Sequence, residues 1–226
     1  GIAASVSQGL PTIGLMLPYT PIQWLVLHAL LGEPAGEAWR SEAQPVALVM
    51  TSANPHGEPL VHEDADAASR LAGIADLIVG HDRAILVRCD DSVLHVVDGA
   101  PAFIRRARGY VPEPLALPAD APATVAVGGY LKNTVCVTRG REAWVSQHVG
   151  DLDNAEARRY QIESIEHLVR ILGVRPERVV HDRHPDFPGT LWARASGLPA
   201  VAVQHHHAHV AAVLGEHGHA GPALGL

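Results

Sequence analysis

Four of the chain's 15 histidines stand between positions 205 and 209, with an apolar run on either side of them. On a helix, residues four apart share a face, so His205 and His209 would present both imidazoles to one metal ion or one phosphate. Neutral imidazole is the commonest protein metal ligand, and two on adjacent turns form half a site. A solvated histidine-rich helix start that binds metal adventitiously has the same pattern, because such pairs also arise by chance.

Two segments of the first half carry groups that suit phosphate or carboxylate binding. Ser52 and Asn54 follow an apolar run. Small hydroxyl and amide side chains at the end of a strand hold phosphate, adenine or carboxylate groups in α/β crevices, although Asn-Pro is also typical of an ordinary turn. Arg105 and Arg106 stand beside a further arginine and a glycine. Guanidinium is the bidentate partner of phosphate and carboxylate, and the alternative for this pair is a solvated strand end.

Three charged positions follow apolar runs in the second half. The glycines at 128 and 129 would let backbone amides approach a phosphate, with Lys132 supplying charge, but a hairpin loop with a surface lysine fits equally well. Asp151 and Asp182 each lie just beyond an apolar run. Carboxylates in such places hold Mg²⁺ or a nucleophile, and they also cap helices.

Composition narrows the function classes. The 226 residues allow one large domain or two ordinary ones, and the net charge of −7 argues against nonspecific binding to nucleic acid or to an anionic membrane. The chain has only two cysteines and no Cys-x-x-Cys motif, so a reducing compartment is favoured. It has no apolar run that could span a bilayer and no signal peptide. These features favour a cytoplasmic protein. No serine or cysteine has an obvious general-base partner, so no catalytic nucleophile is assigned.

The elements that must position these residues are predicted from apolar periodicity and punctuation by glycine and proline. Helices are predicted at 22–31, 63–72, 154–172 and 190–196. Strands are predicted at 45–50, 77–79, 93–97, 102–104, 124–127, 134–138, 143–146, 179–181 and 201–203, with a turn at 139–141. The proline-rich residues 112–122 are predicted to be an extended linker between two domains, 1–111 and 123–226. The mixture indicates an α/β protein.

Taken together and in order, these motifs resemble the HypF carbamoyltransferase family, which matures nickel–iron hydrogenases. The resemblance covers nearly the whole chain. The combination of motifs is specific to the family, although each motif alone is weak evidence for it. The matching segments are 15–21, 51–59, 88–93, 104–112, 128–134, 146–152, 181–185 and 203–209.

The resemblance implies a particular architecture and chemistry. Residues 1–111 would be the C-terminal portion of a YrdC-like domain. Residues 123–226 would be the N-terminal lobe of a threonylcarbamoyl-transferase-like domain, with an actin-like or ribonuclease-H-like ATPase fold. In the family, carbamate derived from carbamoyl phosphate is adenylated with ATP. The carbamoyl group then passes to the C-terminal cysteine of HypE and becomes a cyanide ligand of the hydrogenase iron.

The resemblance also assigns roles to individual residues. It implies nucleotide or carbamoyl-adenylate binding, with ATP and Mg²⁺, by Ser52, Asn54, Ser92, Arg105, Arg106, Lys132, Asn133, Asp151 and Asp182. It implies one divalent metal, of the zinc or iron type, at His205 and His209.

Some parts of the family pattern are missing from the sequence. These are the Lys/Arg-rich motif of YrdC-like proteins, the acylphosphatase-like and zinc-finger modules, and the second lobe, so we expect the chain alone to be inactive. The alternatives are a tRNA threonylcarbamoyladenosine-type enzyme and a nonenzymatic metal-binding maturation module. The fused order of the motifs and the run from Met16 to Pro21 favour HypF.

Overall fold

The computed structural model describes residues 3–225, which form two compact units, one up to Thr51 and one from Ser52 onward. The helices α1 to α5 are Pro21–Leu30, Asp64–Arg70, Ala155–Leu172, Pro188–Ala195 and His205–Glu216. The strands β1 to β7 are Val93–Val97, Ala100–Arg105, Leu115–Ala121, Thr124–Ala126, Cys136–Val145, Arg178–Asp182 and Ala200–Val203. Two short 3-10 helices lie at Ala4–Ser7 and Ala38–Ser41.

The first unit contains the predicted helix at 22–31, observed as α1. Thr20 and Gln23 form a reciprocal capping box at its start, and Pro21 occupies its first turn, where a missing N–H costs nothing. The strand predicted at 45–50 is wrong, because no other segment of this unit pairs with it in the described residues. Val49 is 77% exposed, so an apolar run without a pairing partner remains irregular.

The second unit is built on a five-stranded sheet in the order β3-β5-β4-β6-β7. Strands β4, β6 and β7 are parallel, while β5 runs antiparallel to both of its neighbours. The core packs apolar residues of β4, β5 and β6 and their flanks, among them Val125, Val137 and Val179, against Ile165 and Leu168 of α3. Because parallel strands end at the same edge of a sheet, the residues following β4, β6 and β7 are brought together there.

Helix α3 forms where its sequence predicts it. The Asn154 side chain accepts a 2.8 Å hydrogen bond from the backbone N–H of Ala157 at the N-terminus. At the other end Gly173 takes a left-handed φ of 61°, which glycine adopts without steric cost. The predicted helices at 63–72 and 190–196 are also confirmed, as α2 and α4.

Two predictions about secondary structure are wrong in this unit, and one segment has a pairing partner that its sequence did not indicate. Residues 77–79 form no strand, and the first-half sheet contains only the β1–β2 hairpin in the described residues. Most of the predicted linker is the edge strand β3, which pairs with β5. The predicted turn at 139–141 lies inside the continuous β5, where Gly140 has a φ of 59° and pairs with Ala121. The domain boundary placed at 112–122 stays a prediction.

A buried arginine connects the segment before β1 with helix α3. Arg88 is 3% exposed and forms an ion pair with Glu163, and its Nε donates a 2.8 Å hydrogen bond to the carbonyl of Leu60. Its guanidinium carbon lies 5.1 Å from the ring centroid of Tyr160, and its own carbonyl accepts from Gln147. The first-half segment is therefore anchored to α3 by a charged group that has several partners.

Replacing Arg88 with alanine should lower the free energy of unfolding by about 2–3 kcal/mol, because it removes charge-assisted bonds inside the unit. Arg159→Ala is the matched control, since Arg159 contacts the same Glu163 at 3.4 Å from a half-exposed position. Exposed ion pairs contribute less than about 1 kcal/mol. Urea unfolding of the two variants measures the difference, and equal small losses would contradict the anchoring role.

Candidate active site

The histidine pair stands at the start of α5, directly after β7. The Nε2 atoms of His205 and His209 are 3.1 Å apart, and the ring centroids are 4.7 Å apart. Two imidazoles bound to one tetrahedral zinc at about 2.0–2.1 Å place their nitrogens roughly 3.3 Å apart, so this spacing fits a shared metal. It also fits an N–H···N hydrogen bond. The pair comes together as predicted, and metal binding by it stays a prediction.

A carboxylate at the end of β6 supports the first of these histidines. Asp182 Oδ2 lies 2.6 Å from His205 Nδ1, and its Oδ1 accepts a 2.8 Å hydrogen bond from the backbone N–H of His184. Burial alone would raise the pKa of Asp182, but the bonds from His184 and His205 outweigh it and the pKa is lowered. Asp182 is therefore a carboxylate at neutral pH. Nucleotide binding by Asp182 stays a prediction.

The loop after β4 approaches the histidines. A Cβ placed on Gly129 would lie 3.9 Å from Cε1 of His205. The buried Asn133 amide holds the loop, because its Nδ2 donates to the carbonyls of Val127 at 2.8 Å and Gly129 at 2.7 Å. Its Oδ1 is buried without a partner. The Asn133 side chain thus fixes the glycine pair through its two donated bonds, and its oxygen is an unpaired acceptor inside the unit.

Two charged residues predicted to bind nucleotide are linked on the same loop. The backbone N–H of Lys132 donates a 2.7 Å hydrogen bond to Oδ1 of Asp151. This bond holds Lys132 at a left-handed φ of 48°. Of the predicted second-half residues, Lys132 and Asn133 thus lie on the loop after β4, and Asp151 is bonded to that loop. Asp182 lies at the end of β6. Their contact with nucleotide stays a prediction.

The described residues supply only part of a metal site. Across residues 3–225, no third His, Cys, Asp or Glu joins the pair in an arrangement that would hold a metal ion. The two Nε2 atoms fit half of a site, and Asp182 is placed behind His205 and not beside the two free nitrogens. Any further ligand must come from water, substrate or protein outside these residues.

The first-half residues predicted to bind nucleotide have structural partners of their own. The Asn54 amide donates to the carbonyls of Pro55 at 3.0 Å and Glu58 at 2.9 Å, so it stabilises a turn, while Ser52 is exposed. The Ser92 hydroxyl donates to the carbonyl of Arg108 at 2.8 Å and accepts from the N–H of Ala107 at 2.8 Å. These contacts leave the predicted binding roles untested.

The two predicted arginines differ in how they are held. Arg105 forms an ion pair with Asp90 at 2.7 Å and donates from Nε to the carbonyl of Asp91 at 2.9 Å. Arg106 donates from Nη2 to the carbonyls of Tyr110 at 2.7 Å and Glu113 at 2.8 Å, while its buried Nη1 has no partner. Arg106 therefore keeps one donor available, whereas an anion at Arg105 must compete with Asp90.

One histidine between these groups received no role from the sequence. Burial lowers the pKa of His148, and Arg105 and Lys132 lower it further while Asp90 and Asp151 raise it. His148 therefore lies within the field of charges from both predicted nucleotide-binding groups. The only sequence signal was its place in the segment 146–152, which matches the family pattern without a distinctive spacing.

The buried thiol of Cys136 offers no nucleophile. Burial raises its pKa to about 11, against a smaller lowering from the hydrogen bond with the backbone of Trp144. A thiol with that pKa is protonated at neutral pH, and the thiolate is the reactive form.

Among residues 3–225, no helix is long and apolar enough to cross a membrane.

Two family models match consecutive parts of the chain. The model described as "Telomere recombination", of the Sua5, YciO and YrdC proteins, matches residues 2–107. The model described as the HypF Kae1-like domain matches residues 119–216. The two models thus identify a YrdC-like portion followed by a HypF Kae1-like portion, and the mixed sheets and helices confirm the predicted α/β fold class.

Curated relatives align with this chain along its whole length. Carbamoyltransferase HypF2 of Cupriavidus necator is 56% identical over all of this chain, and so is carbamoyltransferase HypF of Rhizobium leguminosarum bv. viciae. A crystal structure of full-length HypF in the phosphate- and nucleotide-bound form is 41% identical over 93% of the chain, with a TM-score of 0.81. The chain belongs to the HypF family. It spans 29% of the length of each of these curated relatives and 31% of that crystallised chain.

Proposed function

We propose that this chain forms part of a carbamoyltransferase that activates carbamate with ATP and transfers the carbamoyl group to a thiolate. The observation that carries the proposal is the cluster at the carboxyl ends of β4, β6 and β7, where the histidine pair, Asp182 and the glycine loop meet. The family membership supports the reaction class. The acceptor is the C-terminal cysteine of HypE, the donor is carbamoyl phosphate, and the setting is the cytoplasm.

The first reaction is adenylation. A carbamate oxygen attacks the α-phosphorus of ATP, the bond to the β-phosphate oxygen breaks, and pyrophosphate leaves with its electron pair. Ser52, Asn54, Ser92, Arg105 and Arg106 hold the anions in place. Arg106 contributes a positive charge that no carboxylate neutralises in the contacts described above, because its guanidinium donates only to backbone carbonyls, and guanidinium is the usual partner of phosphate.

The second reaction is transfer at that cluster. The thiolate attacks the carbonyl carbon of carbamoyl-adenylate, and AMP leaves with the electrons of the broken C–O bond. Lys132, Asn133 and Asp151 position the adenylate beside the glycine loop that the Asn133 amide holds in place. A divalent metal held by His205 and His209 would supply Lewis-acid polarisation of the carbonyl oxygen.

The adenylation part is tested by Arg106→Ala and Arg105→Ala in a full-length HypF enzyme that contains this segment. Each should lower carbamate-dependent ATP–pyrophosphate exchange about 10- to 100-fold, because a charge-assisted bond contributes roughly 1.5–3 kcal/mol. The exposed Arg175→Ala is the control and should leave exchange unchanged. Arg106→Lys keeps the positive charge. Comparing its exchange rate with that of Arg106→Ala separates the loss of anion binding from the loss of the bonds to the carbonyls of Tyr110 and Glu113. Wild-type exchange in both alanine variants would contradict the assignment.

A further inference from the structure

We infer that Asp182 is a positioning residue for metal binding by His205, a role different from the nucleotide contact that its motif predicts. The inference rests on the proposed function, because it takes His205 and His209 as the metal ligands. It assigns Asp182 to fixing the ring orientation and the tautomer of His205. Its effect on the reaction is therefore exerted through the imidazole.

The contact geometry divides the two nitrogens of His205 between two tasks. Nδ1 lies 2.6 Å from Oδ2 of Asp182, while Nε2 lies 3.1 Å from Nε2 of His209. A carboxylate only accepts hydrogen bonds, so Nδ1 must carry a proton. In the neutral ring the lone pair is then on Nε2, which faces the second histidine. Both imidazoles thus meet through the nitrogen that a shared metal requires.

Asp182 is itself held rigidly enough to orient the ring. Its Oδ1 accepts from the N–H of His184, and its carbonyl accepts from the hydroxyl of Thr190 at 3.0 Å. Thr190 is fully buried, and the Asp182 side chain is only 11% exposed. Both carboxylate oxygens already have partners in the unit. This arrangement matches the outer carboxylate that supports metal-bound histidines.

Sheet register explains why the contact forms. Asp182 pairs with Val203 across the parallel strands β6 and β7, and His205 begins α5 two residues after Val203. The carboxylate at the end of one strand therefore lies beside the first turn of the helix that follows its neighbour. Backbone register therefore brings the two side chains together.

The first experiment reads the tautomer of His205 by NMR of its imidazole nitrogens in the metal-free chain, at a pH where the ring is neutral. Wild type should show Nδ1 protonated and Nε2 unprotonated. Asp182→Ala should shift the ring toward the Nε2-protonated form, and Asp186→Ala should not. Asp186 is the control because it is exposed on the same loop. An unchanged tautomer in the folded Asp182→Ala protein would overturn the inference.

The second experiment follows Zn²⁺ titration through the His205 and His209 resonances, with the other histidines as internal references. Asp182→Ala should weaken Zn²⁺ binding at this pair about 10- to 100-fold, the usual loss when an outer carboxylate is removed. Asp182→Asn keeps the shape but offers one acceptor oxygen to two donors, so it should weaken binding even if the alanine variant does not fold. Wild-type affinity in the folded asparagine variant would overturn the inference.

The two proposals fail differently. If wild-type His205 and His209 do not respond to Zn²⁺, the proposed metal site is wrong and the inference falls with it. If they respond but binding is the same without the Asp182 carboxylate, the metal site stands and only the positioning role is wrong. The tautomer measurement is independent of metal, so a merely structural Asp182 would not produce the expected change.

Discussion

His205→Ala or His209→Ala in a full-length HypF enzyme should abolish stoichiometric metal binding and carbamoyl transfer to a thiol, while carbamate-dependent ATP–pyrophosphate exchange continues. Each variant removes one of two nitrogens that lie 3.1 Å apart. Polarisation of a carbonyl oxygen by a metal contributes several kcal/mol, so the transfer rate should fall about 100- to 10,000-fold. Metal content, thiol carbamoylation and exchange are measured on the same preparations.

The neighbouring histidines provide the matched controls. His206 and His207 belong to the same helix turn but are rotated by about 100° per residue from His205. Nδ1 of His206 lies 3.3 Å from the side-chain nitrogen of Gln204, and its ring centroid is 6.3 Å from that of His205, against 4.7 Å for His209. Alanine at either position should leave metal content and transfer unchanged. Normal transfer in both His205→Ala and His209→Ala would eliminate the metal hypothesis, and loss of exchange as well would indicate misfolding.

Local signals made several elements predictable. Helix α3 carries its start signal in Asn154 and its stop signal in Gly173, and its apolar residues recur at helical spacing. The apolar runs at 124–127, 179–181 and 201–203 indicated strands with polar residues just beyond them, and they are observed as β4, β6 and β7. The meeting of the histidine pair likewise needed only helical periodicity. Each of these features is decided within a few neighbouring residues.

The remaining features depend on partners distant in sequence. Residues 45–50 and 77–79 are apolar enough for strands but find no neighbour to pair with in the described residues. Conversely, residues 115–121 contain a proline typical of a linker, yet they form an edge strand because they pair with β5. The Asp182–His205 contact required knowing that β6 and β7 are adjacent and in which register. Sequence periodicity specifies which face of a strand is apolar, and it leaves the order of the strands open.

Gly128→Ala should be among the most damaging single substitutions in the second unit. Gly128 has a φ of 69°, and a Cβ on it would lie 2.2 Å from the carbonyl oxygen of Thr134 and 2.7 Å from Nδ2 of Asn133. The first atom belongs to the backbone, so the clash cannot be relieved by a side-chain rotation. The loop must move, and the Asn133 bonds to Val127 and Gly129 would break with it. We expect the free energy of unfolding to fall by about 2–4 kcal/mol.

Gly173→Ala separates the clash from the backbone strain. Gly173 has a φ of 61°, but a Cβ there would meet no atom within 4 Å. Its cost should be only that of a left-handed alanine, about 1–2 kcal/mol. Urea unfolding measures the loss of unfolding free energy in each variant, and the difference between the two losses is the cost of the clash with Thr134. Equal losses would mean that the loop after β4 has room for a side chain at position 128, and that only the left-handed backbone requires glycine there.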